Sequence, residues 1–164
     1  MDQPPPDSVG HAERLGVPEA ADAMVMASRV WQLGSLLTSY VTSRIDVDGL
    51  QLGEAEVLMA TRVRGDQLTT PGDLRTQLNL TSAGITKRID QVEARGLIDR
   101  RPHPTDRRSV TLHLTEEGEA LADRTIVAVA QAMADLTADS LPGDEIAHLN
   151  TTLAALLTEL TDGD

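Results

Sequence analysis

The sequence predicts a mainly α-helical protein built around a winged helix-turn-helix, with a two-stranded β wing and a further helical region. Three observations lead there. Phe is absent and Trp31 and Tyr40 are the only aromatic residues, so the core must use Leu, Ile, Val, Met and Ala, which suit packed helices better than a sandwich. Apolar residues recur with a helical period along most of the chain. Between Leu97 and Leu114 alone the period drops to about 2, and a turn-rich tip divides that stretch into two short strands. A length of 164 residues fits one domain able to bury roughly two-thirds of its unfolded surface without metal or disulfide.

Residues 1 to about 17, with Pro4, Pro5 and Pro6 in a polar setting, read as a flexible arm. From Pro18, suited to a first helical turn, the stripe Ala21, Met24, Val25, Ser28, Trp31, Leu33, Leu36, Leu37 and Tyr40 predicts a long helix. A loop with Asp46, Asp48 and Gly49 leads to a second helix over Leu52 to Val63. Thr70-Pro71-Gly72-Asp73 joins a capping hydroxyl, a proline at the first helical position and a carboxylate in the first turn, so a short helix follows, through Leu78. Asn79-Leu80 makes a tight turn. Thr81 caps the next helix, which runs through Ile85, Ile89 and Val92 to a stop at Gly96. Two short helices a turn apart form a helix-turn-helix. Leu97 and Ile98 then open a strand, Pro102 to Asp106 form the tip, and Val110, Leu112 and Leu114 alternate with Ser109, Thr111 and His113 on the returning, half-buried strand. Thr115 caps a long helix from about Glu116 to Asp139. Pro142-Gly143-Asp144 opens the last helix, whose stripe is Ile146, Leu149, Leu153, Leu156, Leu157 and Leu160.

Composition narrows the chemistry. With no cysteine there are no disulfides, thiolate metal sites or thiol-based oxidation sensors. No apolar run approaches the roughly 20 residues needed to cross a bilayer, and the amino terminus lacks a basic-then-apolar leader, so a cytoplasmic protein without a membrane partner is expected. The formal net charge of −12 argues at first against nucleic acid, whose affinity is dominated by cation contacts to phosphate. Distribution reverses that argument. From Thr81 to Leu114 seven bases (Lys87, Arg88, Arg95, Arg100, Arg101, Arg107, Arg108) face four acids (Asp90, Glu93, Asp99, Asp106), a balance of +3 that leaves −15 on the remainder. A basic segment on an acidic body is a polarised molecule.

The second helix of a helix-turn-helix enters the major groove of DNA. With Ile85, Ile89 and Val92 turned inward, Ser82, Ala83, Thr86, Lys87, Asp90 and Gln91 face outward or flank that face, and Arg88 lies nearer the boundary. Ser and Thr bond phosphate or base, Lys contacts guanine, and the amino end of a helix favours an anion. At the wing tip, Arg107 and Arg108 stand beside Asp106 on a ribbon short enough to reach an adjacent minor groove, with Asp106 expected to hold one guanidinium while the other enters. Ser82, Ala83, Thr86, Lys87, Arg88, Gln91, Asp106, Arg107 and Arg108 are therefore the candidate DNA-binding residues. A solvated polar face and a surface ion pair are the bland readings of the same residues; the joint occurrence of helix, spacing and wing favours DNA.

The run from Leu80-Thr81-Ser82-Ala83-Gly84-Ile85-Thr86-Lys87-Arg88 to Gly96-Leu97-Ile98-Asp99-Arg100-Arg101 resembles the recognition helix and first wing strand of the MarR family. Its continuation, with Asp106-Arg107-Arg108-Ser109 and Leu114-Thr115-Glu116-Glu117-Gly118, resembles that family's wing and following helix start. In helix order the similarity extends from about residue 20 to 161. It implies a domain over 18–161, with dimerisation helices at about 18–44 and 116–161 and the winged helix-turn-helix at about 52–115. It further implies a homodimeric repressor on double-stranded, pseudo-palindromic operator DNA, with half-sites about 34 Å apart. The leucine stripe from Ile146 to Leu160 independently asks for a partner surface, although packing within the subunit accounts for part of it.

The family commonly releases DNA when a small, often aromatic anion binds, through unequal affinity for the two states of the heads. Thr86 to Asp90 and Glu93 to Leu97 are similar to its urate-responsive branch, and that likeness puts Glu56, Arg88 and Arg100 at the ligand-responding places, with Trp31 as the aromatic candidate. Glu56 replaces the Asp usual in that branch, and Trp31 lies in the first long helix rather than in the arm. The expected effector is therefore a small aromatic anion in general, and no cofactor is expected. An internal salt-bridge network of Glu56, Arg88 and Arg100 that orients the head is the other reading of those residues. His11, His103, His113 and His148 raise a metal-responsive regulator, but their scatter over arm, wing and last helix argues against a shared metal. No nucleophile elbow, phosphate-cradling loop or paired-carboxylate setting points to an enzyme. A winged helix that binds another protein is the remaining alternative.

Overall fold

The computed structural model describes Gly10, Arg14, Gly16, Val17 and residues 20–44, 49–138 and 141–162. Most of the expected arm, together with Pro18, Asp46, Asp48 and Asp139, lies outside these residues. The chain forms two compact units, residues 1–43 and 44–164.

The first unit holds helix α1, Ala21–Thr42. Trp31 is 79% exposed on it, and Met24, Met26, Val30, Leu33 and Leu36 are exposed as well.

The second unit begins with α2, Leu52–Val63, bounded as its apolar period predicts. Gln51 and Glu54 form a capping box, the Glu54 carboxylate accepting the Gln51 N–H at 2.7 Å. Helix α3, Pro71–Gln77, starts from a second such box: Thr70 Oγ1 accepts the Asp73 N–H at 3.2 Å, and the Asp73 carboxylate accepts the Thr70 N–H at 2.8 Å. Its end is set by Asn79, which adopts φ +49°, a left-handed conformation that Asn tolerates better than most residues. The Leu80 N–H then reaches back to the Arg75 carbonyl at 3.0 Å, closing the turn of the helix-turn-helix. Helix α4, Ser82–Ala94, is capped by Thr81, whose hydroxyl oxygen accepts the Gly84 N–H at 3.1 Å. It stops at Gly96, whose φ of +71° suits glycine and lets the Leu97 N–H bond the Val92 carbonyl at 3.2 Å.

Strands β1, Ile98–Pro102, and β2, Val110–Leu114, pair antiparallel with Ile98 opposite Leu114 and Pro102 opposite Val110. Thr69 adds a bridge on the far side of β2, its carbonyl accepting the Leu112 N–H at 2.7 Å. The expected alternation along β2 is not kept: Thr111 and Leu112, which point to opposite faces, are both buried. Thr111 is 1% exposed, with its hydroxyl donating to the Arg101 carbonyl at 3.3 Å, whereas Val110 at the tip end is exposed. Covered on both sides, the strand needs a polar partner for each buried hydroxyl.

Helix α5, Glu116–Thr137, is capped by Thr115, as its position before Glu116-Glu117-Gly118 predicts. Helix α6, Gly143–Asp162, follows. The core of this unit is one apolar cluster in which α2 contributes Val57 and Leu58, α3 Leu74, α4 Ile85, Ile89 and Val92, the wing Ile98 and Leu112, and α5 Leu121 and Ala122. Arg62 of α2 ties to Asp123 of α5 through two parallel bonds of 2.8 and 3.0 Å. Each strengthens the charged form of the other: the hydrogen bond from Arg62 holds the Asp123 carboxyl below the usual carboxylate range. Among the described residues, no helix is long and apolar enough to cross a membrane.

Candidate nucleic-acid interface

The recognition face is set by what α4 buries. Ile85, Ile89 and Val92 are at most 2% exposed, so a 3.6-residue period turns the intervening residues outward. Ser82, Ala83, Thr86, Lys87, Asp90 and Gln91 are all exposed, as the sequence predicts. The Thr86 hydroxyl donates to the Ser82 carbonyl at 2.9 Å, which leaves its oxygen lone pairs facing solvent.

The seven bases of this segment fall into two groups. Arg88 is half-buried and pairs with Glu56 of α2. Arg95 binds Glu54 at 3.2 Å and the Gly49 carbonyl at 3.1 Å. Arg100, on β1, pairs with Asp90 and, at 3.0 Å, with Glu93. Arg101 lies 3.5 Å from Asp99. Lys87, Arg107 and Arg108 form no ion pair among the described residues, and all three are exposed. Pairing thus spends Arg88, Arg95 and Arg100 on tying elements of the head together, leaves Arg101 in a local surface pair on β1, and leaves three bases without an ion pair among the described residues, on the outer faces of α4 and the tip. Such inward pairs are valued for the geometry they fix more than for stability, since a half-exposed pair contributes about 1 kcal/mol or less.

Asp106 departs from its expected part. Its carboxylate accepts the Arg108 backbone N–H at 2.9 Å instead of gripping a guanidinium. A short carboxylate two residues before a free N–H closes a turn more readily than it reaches a side chain running outward.

The candidate effector residues of the second unit are engaged in ion pairs. Glu56 and Arg88 are joined, Arg100 is engaged by Asp90 and Glu93, and Trp31 stands on α1 in the first unit. Of the four histidines, His103 lies at the wing tip, His113 is bonded to Thr111 on β2, His148 is exposed on α6, and His11 lies outside the described residues. No cluster of metal-ligating side chains occurs among the described residues.

Sequence reasoning missed Arg75, an exposed base in the last turn of α3 that forms no ion pair among the described residues. It also missed the buried Glu54, 5% exposed, which serves both the α2 cap and Arg95. A signal for Glu54 was present: Gln51 followed three residues later by Glu, ahead of an apolar run, is a capping-box spacing.

Residues 48–109 match the family model described as MarR family. The chain is 30% identical over 122 residues to the multiple antibiotic resistance protein MarR of Salmonella typhimurium, covering 74% of this chain and 81% of that protein. Its fold resembles that of a mutant Escherichia coli MarR solved in complex with operator DNA, with a TM-score of 0.72 at 22% identity over 84% of this chain and 97% of that one. It also resembles CouR from Rhodococcus jostii bound to p-coumaroyl-CoA, with a TM-score of 0.69 at 23% identity over 82% and 91% of the two chains. Helix-turn-helix, wing and sequence match agree, and the chain belongs to the MarR family of winged-helix transcription regulators.

Proposed function

We propose that this protein is a ligand-responsive repressor that binds a pseudo-palindromic operator as a homodimer in the cytoplasm. Ser82, Ala83, Thr86, Lys87 and Gln91 read the major groove and its phosphates, and Arg107 and Arg108 reach from the tip into the flanking minor groove. Arg88, through Glu56, seats the recognition helix, and Asp106 shapes the tip. One observation carries this reading: once the internal ion pairs are set aside, the bases left over in α4 and the wing are Lys87, Arg107 and Arg108, at the two places that meet a duplex. The operator complex of the Escherichia coli MarR supports the same docking.

Dimerisation uses the helices at about 18–44 and 116–161. Exposed Leu149, Leu153, Leu156, Leu157 and Leu160 on α6 support a partner surface there. The effector is a small aromatic anion, of which urate is one member. CouR, which binds p-coumaroyl-CoA, supports an aromatic ligand, and the candidates in this chain are Trp31, Glu56, Arg88 and Arg100.

Selection of bound duplexes from a random pool tests the whole reading, with an enriched palindrome as the expected product. On that duplex, affinity falls steeply with salt, and Arg108→Ala weakens binding and lowers the salt slope by about one. Urate or salicylate then lowers affinity in a mobility-shift titration. A wing that docks on protein would show neither enrichment nor salt dependence.

A further inference from the structure

The wing tip is closed by a relay of caps that starts at His103. Its backbone N–H donates to the Ser109 carbonyl at 3.1 Å, across the mouth of the turn. Its ring Nδ1 accepts two backbone N–H groups, from Thr105 at 3.3 Å and from Asp106 at 3.2 Å, and the Thr105 hydroxyl lies 3.4 Å from the same atom. Asp106, fixed in this way, accepts the Arg108 N–H on its carboxylate, and its carbonyl accepts the Ser109 N–H at 3.1 Å. A ring nitrogen that receives two N–H groups must present a lone pair, so the ring proton sits on Nε2.

We propose that His103 is a positioning residue of the wing: the unprotonated Nδ1 of its ring holds the tip closed, and a proton placed there releases Arg107 and Arg108, so that protonation of the ring weakens the grip on DNA. A protonated Nδ1 is a donor facing two donors, and both bonds are lost together. The groups around the ring decide the sign. Asp73 of α3, itself 3.7 Å from Arg64, faces it electrostatically, Asp106 lies on the same tip, and Arg107 and Arg108 are the bases the tip carries. The new positive charge would by itself favour phosphate, but two carboxylates already offset it, and the water that takes up the freed N–H groups at this exposed tip does not tie Thr105 and Asp106 to the ring. Order at the tip therefore decides the outcome.

The proposal rests on the DNA-binding reading above, and its test separates the two. Operator affinity of the full chain is measured at pH 8.0 and 5.5 at fixed ionic strength. The wild-type Kd is expected to rise about tenfold on acidification, as befits the loss of two neutral hydrogen bonds. His103→Asn, whose amide oxygen accepts without titrating, binds like the wild type at pH 8.0 and loses most of that rise, while His103→Ala binds weakly at both. The other histidines are common to all three proteins, so their contribution cancels. A wild type that tightens or stays constant on acidification, or a His103→Asn protein that keeps the full rise, overturns the proposal. Nitrogen NMR of the free protein gives a readout without DNA: the signal lost in His103→Asn is expected to show Nδ1 bare and Nε2 protonated at pH 8.0. A proton on Nδ1 ends the proposal whatever the DNA does. Failure of the wild type to bind any duplex sinks the DNA-binding reading alone.

Discussion

At the scale of the residue, the contacts that matter most for the head are ones in which size or charge leaves no alternative. Gly118 in the first turn of α5 is fully hemmed in: a Cβ there would sit 2.0 Å from the Leu97 carbonyl oxygen and 2.9 Å from its carbon, both backbone atoms that cannot swing aside. Around it, the Thr115 N–H donates to that same Leu97 oxygen at 3.1 Å, and the Thr115 hydroxyl donates to the Gly96 carbonyl at 2.9 Å. This contact locks the end of the recognition helix to the start of α5. Gly118→Ala is expected to cost about 3 kcal/mol, the upper end for overpacking a site that cannot relax, and urea unfolding of the variant measures it as a lowered midpoint. A midpoint within experimental scatter of the wild type would mean that the two segments are not pressed together.

At the scale of the element, capping decides where each helix of the head begins, and one cap carries a pH signature. The Thr70 backbone N–H, then the Thr70 hydroxyl, hold the Asp73 carboxyl below the usual carboxylate range, with Arg64 and His103 adding smaller effects in the same direction. A carboxyl depressed in the folded state stabilises the protein above its unfolded pKa, and that contribution is lost as pH falls through the folded value. Asp73→Asn is accordingly expected to cost about 1 kcal/mol at pH 7, with the difference from wild type shrinking below about pH 4. Urea midpoints of both proteins across pH 3 to 8 check this. A constant difference over that range would detach the cap from the ionised carboxylate. The strand β2 shows the same scale from another side, because both of its faces are covered at Thr111 and Leu112, where a hairpin with one wet face would have left Thr111 in water.

At the scale of the whole molecule, a basic segment belongs to an acidic chain, and α6 carries leucines that are exposed among the described residues. Leu157 is 63% exposed and Leu160 76%, and contiguous apolar surface of this kind marks an interface. The double variant Leu153→Glu/Leu157→Glu is expected to shift the protein toward monomer in sedimentation, and to weaken binding to a full palindrome by at least about a hundredfold, because one head then has to bind without the other. Its circular dichroism should stay helical, since the apolar cluster around Leu58 and Leu74 does not involve these leucines. A dimer of undiminished strength would place the subunit interface elsewhere.

The sequence by itself determined the elements and their order. Hydrophobic period, Thr70, Thr81 and Thr115 as caps, and Gly96 as a stop are local signals, and local signals act within one or two turns of chain. They sufficed to mark α2, α4 and both wing strands, and to identify which face of α4 turns outward. What only the tertiary structure decided is the employment of the charges. Glu54 and Glu56 lie more than thirty residues from Arg95 and Arg88, and Asp90 and Glu93 meet Arg100 across the turn at Gly96. A count of +3 could not reveal that Arg88, Arg95 and Arg100 are committed to other elements, or that Asp106 serves a backbone N–H. Nor could the strand pattern reveal Thr69. Each of these depends on which distant group the packed core brings within about 3 Å, and Coulomb and hydrogen-bond energies fall away too quickly with distance for sequence spacing to stand in for that proximity.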